Sequence, residues 1–129
     1  MNDLPVLLVI EDEHSIQDLI EDALTEGGFA FDILSSGEEA LTAFGGHLKN
    51  YKALITDIGL KGRLSGWEVA SQIRERDPGF PVIYMSGAHA DEWASKGVPN
   101  SVMLTKPFAA AQLVTAVSNL LNAAPPAAE

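Results

Sequence analysis

The chain has 129 residues, enough for one domain with a buried core. Its 18 acidic and 8 basic residues give a net charge of -10, which repels nucleic-acid phosphates and anionic lipid and argues against non-specific binding to either. It has no cysteine, which excludes disulfides, thiolate metal sites and thiol catalysis. No apolar run approaches the ~18 residues of a membrane span. The start, "MNDLPVLLVIEDE", lacks the basic beginning and long apolar core of a secretory signal, so a cytoplasmic protein is expected.

"PVLLVI" (5–10) is continuously apolar and rich in branched side chains, the pattern of a strand buried on both faces. From Ser15, apolar residues Ile16, Leu19, Ile20, Ala23 and Leu24 recur at three and four, predicting a helix stopped by Gly27 and Gly28. "FAFDIL" (29–34) alternates as an outer strand would. Ser36 and Glu39 read as a capping box for a helix through Phe44, ended by Gly45 and Gly46. "KALITD" (52–57) predicts the next strand. Ser65 with Glu68 makes a second capping box, for a helix holding Trp67, Val69 and Ile73 and ended by Asp77-Pro78-Gly79. "PVIYMS" (81–86) is a fourth strand, "AHADEWASKG" (88–97) a short weak helix and "SVMLT" (101–105) a fifth strand. A long last helix follows Pro107, which fits at or near its first turn, with Ala110, Leu113, Val114, Val117, Leu120 and Leu121 on one face. The domain is read as 1–123, with "AAPPAAE" leading into a flexible tail or linker at 124–129.

Five strands alternating with five helices imply a parallel sheet covered on both faces, an α/β class with right-handed crossovers. In such sheets, sites form beyond the carboxyl ends of the strands. Those ends carry Glu11 and Asp12, Asp57, Ser86, and Thr105 with Lys106. Two carboxylates ~4 Å apart repel by about 4 kcal/mol at an effective dielectric near 20. A hard divalent cation relieves that conflict, and a loose oxygen cluster suits Mg2+. A carboxylate at a strand exit, with a metal and Lys106 to neutralise a transferred group, fits a nucleophile that accepts phosphoryl on Asp57.

The chain resembles a response-regulator receiver domain of two-component signalling. The resemblance rests on "VIEDE", "LITDIGL", "VIYMSG" and "LTKPF", each at a strand end and in order, and covers residues 4 to about 122. It implies a flavodoxin-like, doubly wound five-stranded sheet of order 2-1-3-4-5. It also implies Asp57 as phosphoacceptor, with Ser86 and Lys106 binding the phosphoryl group and the Lys106-Pro107 bond cis. Mg2+ would be held by Asp12, Asp57 and the backbone carbonyl of Gly59, with Glu11 acting mostly through water. The implied partners are a sensor histidine kinase or histidine phosphotransfer protein, then an unknown downstream protein. No nucleic acid, no membrane and no attached output domain are expected, and the state would be monomer or weak dimer. The protein would catalyse only its own phosphorylation and dephosphorylation.

Three positions depart from that pattern. The loop after Asp57 has Lys61 where the family has proline, and Gly66 comes one residue late; it reads as surface variation or, alternatively, as a basic contact through Lys61 or Arg63. Met103 replaces the usual aromatic ring three residues before Lys106, which puts the usual relay in question. Tyr84 is a substitute or, more simply, a core tyrosine. Gly59 and Ala88 are small, which leaves water an approach and predicts only modest protection of the acyl phosphate. His14, His47 and His89 read as surface residues. The charge-free stretch after Lys106 gives the last helix a neutral outer face, either solvated or a docking surface. Two other readings stand beside the phosphoacceptor: a receiver-like scaffold that only docks, and a phosphatase or electron carrier. The last is disfavoured because "IEDEH" would repel a cofactor phosphate and Gly59 stands where one phosphatase class needs a second acid.

Overall fold

A computed structural model describes residues 6–45 and 51–122. The tail at 124–129, His47 and the expected stop at Gly46 lie outside the described residues. Branched and apolar runs form five strands: β1 Val6–Ile10, β2 Ala30–Leu34, β3 Tyr51–Asp57, β4 Val82–Ser86 and β5 Val102–Thr105. Between and after them run α1 His14–Glu26, α2 Gly37–Gly45, α3 Gly66–Arg76, the four-residue α4 Trp93–Lys96 and α5 Ala110–Asn122. A short 3-10 turn, Ala90–Glu92, leads into α4. All strand pairs are parallel, in the order β2-β1-β3-β4-β5. This is the flavodoxin-like arrangement the resemblance implied.

Alternation along the central strands divides the core. Leu7, Val9, Ile55, Ile83 and Met85 pack with Ile20 and Leu24 of α1 and Leu113 and Val117 of α5. Leu8, Ile10, Leu54 and Tyr84 face Ala40 of α2 and Val69 and Ile73 of α3. Burying such side chains stabilises by roughly 1.5–3 kcal/mol each. The sheet is therefore rigid where it presents its carboxyl ends.

Helix ends follow local chemistry. α1 closes in a Schellman arrangement: Phe29 N–H donates to Leu24 O at 2.9 Å and Gly28 N–H to Thr25 O at 3.2 Å, with Gly28 at φ 86°. α3 opens with the complete Ser65–Glu68 capping box. Two expectations need correction. At α2, Ser36 Oγ accepts the Glu39 N–H, but the Glu39 carboxylate accepts from Ser35 N–H rather than Ser36, so the box is offset by one residue. Pro107 is not in the first turn of α5; the helix begins at Ala110, and Ala109 O accepts its first amide bonds. The Lys106-Pro107 bond is cis.

Candidate functional site

Register brings the strand-end residues together. Ile10 pairs with Thr56, so Glu11 and Asp57 are neighbours one step beyond. Asp57 pairs with Met85 and Ser86 with Thr105, which places Lys106 past the edge of the same rim. Glu11 is wholly buried. Its Oε1 accepts from Lys106 Nζ at 3.1 Å and its Oε2 from Glu13 N–H at 3.0 Å. Asp57 Oδ1 accepts from Ile58 N–H at 2.8 Å, while Oδ2 lies 3.2 Å from Lys106 Nζ. Asp12 Oδ2 accepts from Lys61 N–H at 3.1 Å. Oxygens of Glu11, Asp12 and Asp57 lie within 4.8 Å of one another.

The electrostatics are those of a crowded acidic pocket. Burial, then the Asp57 charge, pushes the Glu11 carboxyl above its usual range, although Lys106 and the Glu13 amide pull the other way. Burial alone would lower Lys106, but the charges of Asp57 and Glu11 outweigh it and hold the ammonium above its ordinary value. One lysine does not neutralise three acids. All-oxygen donors at this spacing fit a hard divalent ion such as Mg2+.

Ser86 is buried, and its Oγ accepts from Ala88 N–H at 3.2 Å and His89 N–H at 2.7 Å. Both acceptor sites are used, so the hydroxyl hydrogen is left to be donated. Gly59 and Ala88 are exposed. His14 is on the surface, as expected. His89 is not a detached surface residue: it is half-buried at the rim, and a β-carbon added at Gly59 would meet only its Nε2, at 3.9 Å. Nothing in the spacing of the histidines signals this, because the approach is made between two different strand-end loops.

The longer loop after Asp57 engages acids through its backbone. Lys61 N–H binds Asp12, Arg63 N–H binds Glu38 at 2.9 Å, and Gly62 takes φ 100° between them. Gly66 N–H donates to Ile58 O at 3.0 Å, and a β-carbon at Gly66 would collide with the carbonyl oxygen of Asp57. Tyr84 is a core tyrosine: fully buried, 4.7 Å from the Trp67 ring, its hydroxyl accepting Val98 N–H at 3.0 Å. Met103 packs partly buried against the same cluster. The neutral face of α5 borders an open groove against β5, lined by Val102, Leu104, Gln112 and Thr115 among others.

Comparison with known proteins agrees with this geometry. Residues 7–118 match the model of the response regulator receiver domain. A response regulator receiver protein from Sinorhizobium medicae WSM419 superposes with a TM-score of 0.89 at 42% identity, covering 94% of this chain and 97% of that one. The transcriptional regulatory protein CusR of Escherichia coli K12 is 32% identical over 121 residues, covering 90% of this chain and 51% of its own length. TcrA of Mycobacterium tuberculosis H37Rv is 35% identical over 104 residues, 79% of this chain and 40% of that protein. The chain thus spans about half the length, or less, of these curated relatives. With the strand order, the acidic rim and the matched span in agreement, the chain belongs to the response regulator receiver domain family.

Proposed function

We propose that the protein is a phosphoacceptor of a two-component phosphorelay, and that Asp57 takes the phosphoryl group. The reading is carried by one observation: the Asp57 oxygen not held by a backbone amide faces Lys106 at 3.2 Å, beside two further carboxylates. In the step, Asp57 Oδ2 bonds to phosphorus as the donor's P–N bond of phosphohistidine, or P–O bond of acetyl phosphate, breaks. Lys106 turns from the carboxylate to the phosphoryl oxygens, and the Ser86 hydroxyl donates to another of them. Mg2+ would be held by Asp12, Asp57 and the Gly59 carbonyl with Glu11 behind, and when bound it would supply the positive charge that offsets both carboxylate repulsion and phosphoryl charge.

The donor would be a sensor histidine kinase or histidine phosphotransfer protein, and the output a downstream protein met through changed contacts. The protein would act only on its own aspartyl phosphate, in the cytoplasm, as a monomer or weak dimer and without binding nucleic acid. The family membership and the acidic rim support the phosphoacceptor role and a histidine-phosphorylated donor; no described helix is long and apolar enough to cross a membrane. Incubation with acetyl phosphate and Mg2+, followed by intact mass, should add one phosphoryl group to the wild type and none to Asp57→Asn. Wild-type protein that stays unmodified with acetyl phosphate and with a phosphohistidine donor would favour a docking scaffold instead.

A further inference from the structure

Among the described residues, His89 is the only side chain that comes within 4 Å of a β-carbon built at Gly59, and a carboxylate holds its other ring nitrogen. Its Nδ1 lies 3.1 Å from Glu92 Oε2, and the other Glu92 oxygen accepts from Lys96 Nζ at 2.7 Å. Lys96, and then His89, hold the Glu92 carboxyl below its usual range, so it stays an acceptor. In the neutral ring, Nδ1–H donating to the Glu92 carboxylate leaves Nε2 as the acceptor. That nitrogen lies 3.9 Å from where a β-carbon at 59 would stand, two residues past Asp57. The backbone N–H of the same residue fixes Ser86 Oγ at 2.7 Å, so the ring is tied to the site from the β4 side.

We propose that His89, braced by Glu92, is a positioning residue that accepts a hydrogen bond from the water attacking phosphorylated Asp57, and so shortens the lifetime of the acyl phosphate. This rests on the phosphoacceptor reading. In the step, the water oxygen bonds to phosphorus and the bond from phosphorus to Asp57 Oδ2 breaks. The Asp57 carboxylate leaves with the bonding pair. Both water hydrogens end on dihydrogen phosphate, so the imidazole need hold no proton beyond its own. A loose phosphoryl-transfer transition state asks chiefly for orientation of the nucleophile, which one well-aimed acceptor supplies.

The test is single-turnover decay. Full-length protein is loaded with acetyl phosphate and Mg2+, freed of donor, and followed by phosphate release and intact mass. His89→Ala should decay about tenfold more slowly than wild type. His89→Gln, which keeps an acceptor oxygen, should fall between them; the backbone amide to Ser86 is present in all three. Decay of His89→Ala at the wild-type rate or faster would overturn the proposal, since the ring would then be idle or an obstacle. A Gln variant no faster than Ala would overturn it too, by assigning the effect to structure instead of the acceptor. Failure of wild-type protein to load is a separate result: it removes the phosphoacceptor reading itself and this inference with it.

Discussion

On the β1–β3 side of the carboxyl edge, Glu11, Asp12, Asp57 and Lys106 are held by charge: an ammonium between two carboxylates, with a backbone amide on one oxygen of each acid. On the β4–β5 side the ties around Tyr84 and Ser86 are neutral or apolar, and the charged contacts of Glu92 with His89 and Lys96 stay within the segment at α4. Tyr84 meets the Trp67 ring at a tilt and accepts the Val98 amide, Met103 fills beside it, and Ser86 Oγ is held by two amides of its own loop. The first region is crowded and over-determined, so it has little freedom and stores repulsion. The second is closed by single hydrogen bonds, each costing about 1 kcal/mol to exchange. Chemistry therefore sits on the stiff side, and any phosphorylation-driven movement should begin on the side with weaker ties.

The sharpest way to break this contrast is at Gly66. Its place against the Asp57 carbonyl leaves no room for a methyl group, and the neighbour is backbone. Gly66→Ala should destabilise by about 3 kcal/mol, the upper part of the usual overpacking range, seen as a lower urea midpoint at unchanged slope. Phosphorylation of the fraction that folds should also slow, because Asp57 would be displaced. A variant with wild-type stability would show that the loop gives way and that the acidic side is softer than its contacts imply.

A second, slightly smaller effect comes from the stored repulsion. If Asp12 and Asp57 hold Mg2+ only in the folded protein, the ion at 100 times its dissociation constant should add about 2.7 kcal/mol of stability. The thermal midpoint should rise with Mg2+ in the wild type and fail to rise in Asp12→Asn. An equal rise in both would place the ion elsewhere and leave the acidic cluster without its expected occupant.

These two regions were not equally legible in the sequence. The acidic side was readable because its residues stand within two positions of the end of a branched apolar run, and parallel strands carry such exits to one rim; Glu11, Asp12, Asp57 and Lys106 all met there. The contacts of His89 were not, since they depend on how the loop after β4 folds back on the Ser86 hydroxyl and toward a glycine from another strand. The late Gly66 did announce an altered loop. What it could not announce is that Gly62 would take φ 100° and that the main-chain amides of Lys61 and Arg63 would bind Asp12 and Glu38. The start of α5 was placed too early: Pro107 suits a first helical turn, but the helix begins at Ala110, with Ala109 O accepting its first amide bonds.

The smallest effect examines the weaker side directly. Tyr84→Phe keeps the ring on Trp67 and removes only the oxygen that accepts Val98 N–H. A part-buried amide losing its partner should cost about 1 kcal/mol, a drop of a few degrees in thermal midpoint. Because Tyr84 lies outside the acidic rim, phosphorylation of Asp57 should proceed at the wild-type rate. The fluorescence response of Trp67 to phosphorylation should differ, since the tie between β4 and the segment before β5 is already open. A variant that slows phosphorylation itself would couple the two sides more tightly than their contacts do. A variant with unchanged fluorescence response would instead move the relay off Tyr84, leaving the two loop amides on Ser86 as the first ties to yield.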